Sequence, residues 1–80
     1  MRYSAQIQAA RALLGLRQDE LAKAAGIGLA TLQRIEQREG FVQANFSTVL
    51  KIQHALERAG IVFFDEDETA GIGVRLKKKR

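Results

Sequence analysis

Over the first sixty positions of this chain, apolar residues recur at the helical spacings of three and four, and after that the period changes. Ile7, Ala10 and Leu14 fall on one face and predict a first helix from about Ser4, its expected N-cap, to Leu14, with Gly15 as the stop. Leu21, Ala22 and Ala25 define a second helix that begins near Gln18, and Gly26 can end it in a left-handed conformation at little steric cost. Ile27 is an apolar plug in the turn. A third helix starts at about Leu29 and turns Leu32 and Ile35 inward, which leaves Leu29, Ala30, Gln33, Arg34 and Gln37 for other faces. After a loop from Gly40 to Ala44, Asn45 is the expected N-cap of a fourth helix with a buried stripe of Phe46, Val49, Ile52, Leu56 and Ala59, ending at Gly60. Beyond it, Ile61 to Phe64 is a run of strand formers, Asp65 to Gly73 is turn-like, and Val74-Arg75-Leu76 alternates as a half-buried strand would.

Within Arg17 to Gly40 the pattern is narrower than "two short helices". An apolar pair, a small residue (Ala22) where steeply crossed helices approach, a turn glycine and a second apolar pair stand at the offsets that a helix-turn-helix requires. On Gln18, Ala22, Gly26, Ile27, Leu32, Ile35 and Glu36 the chain resembles the phage repressor and Cro-like (XRE-type) helix-turn-helix regulators, over about Ile7 to Gly60. The expected fold class is all-α: a four- to five-helix repressor-like domain over 1–60, with the helix-turn-helix proper at 17–38. A short β element over 61–76 follows, as a hairpin or a dimer strand, and then a basic tail over 77–80.

Charge changes this picture only in part. The net +4 divides into +2 over residues 1–40, −3 over 41–70 and +5 over 71–80, so half the case for a phosphate-bearing partner rests on the tail. That tail can add non-specific attraction or simply solubility. With no cysteine, neither a disulfide framework nor a thiolate metal site can form. No apolar run is long enough to span a membrane, and the N-terminus is too polar for a secretory segment, so a cytoplasmic, nucleoid-associated protein is expected.

The resemblance makes the third helix the recognition helix, and only its start and outward face can reach base edges in a major groove. Leu29, Ala30, Gln33 and Arg34 are the base-contact candidates. Many relatives open this helix with Ser, Thr, Gln or Arg, whereas Gly28, Leu29 and Ala30 carry no hydrogen-bonding side chain. Leu29 and Ala30 can instead meet thymine methyl groups, Arg34 can reach a guanine bidentately, and Gln33 can address adenine or a phosphate. An apolar interface for a protein partner is the rival use of Leu29 and Ala30. For the phosphates, the resemblance implies the amide of Gln18 at the start of the second helix, an end with unpaired donors. It also lays the loop and the start of the fourth helix along the DNA backbone, which nominates Arg38, Gln43 and Asn45. Gly28 and Thr31 are phosphate candidates beside them, and Arg2 and Arg11 are further ones if they face solvent. Glu36 reads as structural, paired with a nearby Arg.

An isolated two-stranded hairpin is marginal in water. Ile61, Val62, Phe63, Phe64, Val74 and Leu76 are therefore expected either to pair with a second copy or to cover the monomer's own core. The first option gives the two-fold homodimer that a palindromic operator requires. Catalytic and metal readings fall away. His54 is a lone helical histidine, the Asp65–Glu68 run lacks the alternating ligands and turn glycine of a calcium loop, and Gly71-Ile72-Gly73 is followed by no helix. No enzyme, cofactor or metal is expected. The reading is a dimeric sequence-specific regulator of transcription, most simply a repressor on double-stranded DNA. An antitoxin that binds both its operator and a cognate toxin is one alternative, and a protein-interaction module without DNA is another.

Overall fold

The computed structural model describes residues 1–78, so Lys79 and Arg80 of the basic tail lie outside the described residues. Four helices come first: α1 (Ser4–Leu14), α2 (Gln18–Ala25), α3 (Leu29–Gln37) and α4 (Phe46–Arg58). A two-stranded antiparallel sheet follows, with β1 (Ile61–Phe64) paired to β2 (Gly73–Leu76). No fifth helix occurs among the described residues.

The core is where the four helical stripes meet. Ile7 and Ala10 of α1, Leu21, Ala22 and Ala25 of α2, Leu32 and Ile35 of α3, and Ile52, Ala55 and Leu56 of α4 are buried together. Leu14 and Ile27 pack against this cluster without being fully enclosed. Full burial of an aliphatic side chain contributes about 1.5–3 kcal/mol, so Ile7, Leu21, Leu32, Ile52, Leu56 and Ile61 supply most of the driving force in so small a domain. Gly26, with φ 71°, closes α2 in the left-handed region, and its N–H bonds back into the last turn.

Two helical expectations need correction. Tyr3, not Ser4, holds the N-cap position of α1. The Ser4 side chain is buried, and its hydroxyl donates to the carbonyl of Arg38 at 2.6 Å, so it fastens α1 to the end of α3. Gln6 does the capping instead, its Oε1 accepting from the N–H groups of Arg2 and Tyr3. In α4 the stripe begins one turn later than expected. Phe46 is 75% exposed, Ala59 is exposed, and Ala55 takes an inner place beside Ile52 and Leu56. Phe46 turns its ring to solvent at the first turn of α4, so that turn adds nothing to the buried stripe.

The hairpin covers the core of its own chain. Its register sets Ile61 opposite Leu76 and Phe63 opposite Val74 on one face, with Val62 opposite Arg75 and Phe64 opposite Gly73 on the other. The first face is the inner one, since Ile61 is 1% exposed and Phe63 and Val74 pack on the core cluster. Gln6 fixes the hairpin from below, its Nε2 donating to the carbonyls of Phe64 (3.0 Å) and Gly73 (3.3 Å).

Candidate nucleic-acid interface

The relative placement of the three N-terminal helices is fixed by one carboxylate. Glu36, on the inner side of α3, has a side chain only 3% exposed. Arg11 of α1 grips it with two bonds, Nε to Oε2 at 2.9 Å and Nη2 to Oε1 at 2.6 Å. Gln18 of α2 adds its amide at 3.3 Å. A buried charge must be paired and hydrogen-bonded to be tolerated, and this one is served from both neighbouring helices. The expected Arg partner of Glu36 is therefore Arg11, and Arg11 is corrected from a solvent-facing phosphate candidate to a structural one. Arg11 is also tied to the carbonyl of Leu16, and Gln8 donates to the backbone carbonyl of Glu36.

Gln18 stands at the first position of α2, half-buried, with one amide hydrogen committed to Glu36. The charge around it is not favourable to an anion. Asp19 and Glu20 flank it against the single guanidinium of Arg17, which bonds Asp19 at 3.0 Å and holds that carboxyl below its ordinary range. A phosphate at this helix end would rest on Gln18 and on backbone N–H groups, not on net charge.

The start of α3 is bare. Gly28 occupies the N-cap position with ordinary extended angles, φ −70° and ψ 145°. A Cβ there would meet only Thr31 Oγ1, at 3.7 Å. Neither backbone conformation nor crowding within the protein requires glycine at this point, and its presence leaves the first amides of α3 uncovered. Leu29 is 40% exposed, and Ala30, Gln33 and Arg34 are exposed beside it. Arg34 donates to Thr31 Oγ1 at 3.4 Å, its one side-chain bond within the described residues.

Further along α3, the other polar candidates converge. Thr31, Arg34, Arg38, Gln43 and Asn45 line one open polar hollow of about 350 Å³, between α3 and the start of α4. Arg38 donates to the side-chain oxygen of Gln43 across it. Asn45 is the N-cap expected of it, accepting from the N–H of Thr48 at 2.8 Å. Two guanidinium groups, an amide and the uncapped remainder of a helix N-terminus thus face one space, an arrangement suited to an anionic oxygen. Sequence reasoning missed Thr48, which also lines the hollow. Its position three residues after an Asn N-cap was the available signal, since that spacing turns it back toward the helix mouth.

The remaining candidates lie elsewhere. Arg2 is exposed and sits 3.8 Å from Asp65. Of the six proposed dimer residues, Ile61 is core and not surface, and Phe63 and Val74 point inward. The pleat leaves Val62 and Phe64 on the outer face, while Leu76, 44% exposed, emerges at the hairpin's end. Arg75 lies over the Phe64 ring at 4.8 Å from its centroid. Among the described residues, no group of acidic or histidine side chains is placed to hold a metal, and no helix is long and apolar enough to cross a membrane.

A family model described as helix-turn-helix matches residues 7–59, about two thirds of the chain, which is all of the four-helix unit except the first three residues of α1. No curated protein matches the chain.

Proposed function

Since the chain belongs to the helix-turn-helix family of DNA-binding regulators, we propose that it binds double-stranded DNA sequence-specifically as a homodimer and represses transcription by occluding the promoter. The observation that carries this reading is the polar hollow of Thr31, Arg34, Arg38, Gln43 and Asn45, which runs directly beside the exposed face of α3. In this reading α3 enters the major groove. Leu29, Ala30, Gln33 and Arg34 meet base edges, while Arg38, Gln43, Asn45 and Thr31 hold the sugar–phosphate backbone on one side. Gly28 lets that backbone approach the first amides of α3, and Gln18 makes the contact on the other side. The two copies join through what the hairpin leaves outside, Val62, Phe64 and Leu76, so that two α3 helices reach half-sites about one helical turn, ~34 Å, apart.

The test is selection of binding sites from random duplex DNA at two salt concentrations. The expected result is a palindrome with fixed half-site spacing and an affinity that falls steeply as salt rises. Recovery of no sequence, or of binding that vanishes when residues 77–80 are deleted, would overturn the reading and turn attention to a protein partner.

A further inference from the structure

A helix that reads DNA with its first residues ordinarily needs donors or acceptors there, and at the N-cap and the first two positions of α3 there are none, Thr31 being the first polar side chain. Gly28, Leu29 and Ala30 are exposed and carry no polar side-chain atom. Leu29 takes no part in the core cluster and is 40% exposed, so its isobutyl group presents apolar surface to solvent. Around it the surface is polar, with Gln33 one turn beyond Leu29 and Arg34 one turn beyond Ala30. One apolar spot therefore sits where a recognition helix comes nearest to the base pairs.

The major-groove edge of a base pair presents donors, acceptors and a single apolar group, the C5 methyl of thymine. Taking the DNA-binding reading above as its basis, we infer that Leu29, with Ala30 beside it, recognises a pyrimidine C5 methyl group, so that the chain responds to cytosine methylation at that step. A leucine cannot sense whether the base carries O4 or N4. It gains only from covering the methyl. Thymine and 5-methylcytosine both offer that group, whereas uracil and cytosine do not. Each of these matched pairs differs by one methyl, and burial of one such group corresponds to about a fourfold change in affinity. Across the two halves of a two-fold operator the effect multiplies to about fifteenfold.

The experiment takes the sites recovered from random DNA and replaces each thymine in turn by uracil. At the position that responds, the pyrimidine is then exchanged for cytosine and for 5-methylcytosine, each opposite guanine. The expected result is one thymine per half-site at which uracil weakens binding about fourfold, with 5-methylcytosine bound about fourfold more tightly than cytosine at the same place. Both differences should disappear in Leu29→Ala, whose melting temperature is measured beside the parent's. Unchanged affinity on replacing every thymine by uracil would overturn the inference, as would persistence of both differences in Leu29→Ala. Either of those results leaves sequence-specific binding standing, whereas recovery of no sequence at all removes the DNA reading and this inference together.

Discussion

The helix-turn-helix segment and the hairpin each meet α1 through a buried polar side chain, Glu36 and Gln6, and these two fastenings differ in kind. Glu36 joins α3 to α1 and α2 as a charge that depends on Arg11 and Gln18. Gln6 joins the hairpin to α1 as a neutral amide, with both of its functional atoms satisfied by backbone. Both are directional, but the charged one is costlier to break, because losing one partner leaves a charge stranded where water does not reach it. The outer surfaces differ in the same way. α3 shows solvent a polar face that opens with one apolar spot, whereas the hairpin shows Phe64 under the guanidinium of Arg75.

The contrast breaks first at Glu36. Glu36→Ala leaves the Arg11 guanidinium without its partner in a largely enclosed place and should cost about 3–5 kcal/mol in denaturant unfolding. Paired replacement by Arg11→Met and Glu36→Leu should recover most of that loss, because no charge is then stranded. In the hairpin the two faces should separate cleanly. Ile61→Ala should cost about 2–5 kcal/mol, whereas Phe64→Ala should change the unfolding midpoint of the protomer far less and weaken self-association instead, read by sedimentation. Equal losses of stability at the two positions would mean that both faces of the hairpin are core. Within the interface itself, Arg34→Ala should cost about 1–3 kcal/mol of binding and relax one base position, while Gln18→Ala should weaken all sequences alike. Equal loss on specific and random duplexes for Arg34→Ala would remove its base-reading role.

The smallest effect lies in the hairpin loop. The N–H and hydroxyl of Thr69, together with the N–H of Ala70, hold the Asp67 carboxyl below its ordinary value. A carboxyl lowered on folding contributes stability above its unfolded pKa and loses it as pH falls through the folded one. The amide signals of Thr69 and Ala70 should therefore move only at pH below the usual aspartate range, and should not titrate in Asp67→Asn.

How much of this was legible in the sequence depended on the period of each element. In α2 and α3 the spacing turns Leu21, Ala22, Ala25, Leu32 and Ile35 inward and all five are buried, because a period of 3.6 separates two faces within three turns. Ile61-Val62-Phe63-Phe64 offers no such contrast. All four residues are apolar, and only the pairing with β2 decides that Ile61 and Phe63 go in while Phe64 goes out. Phe46 departs from the pattern for a different reason, since helical spacing says which residues share a face but not whether anything packs on that face at every turn. The interface was legible residue by residue and not as a place. The sequence singles out Thr31, Arg38, Gln43 and Asn45 one by one, but their meeting in one hollow is a product of how α3 and α4 are joined. That Arg11 serves Glu36, twenty-five positions away, was equally a matter of packing.

The amide of Gln6 also ties the beginning of the chain to its far end. Its oxygen is satisfied by residues 2 and 3, and its nitrogen by carbonyls at positions 64 and 73. Cutting the chain ahead of residue 73 would keep the sequence of every helix but remove β2, and with it one acceptor of that nitrogen and the Val74 side chain that packs on the core.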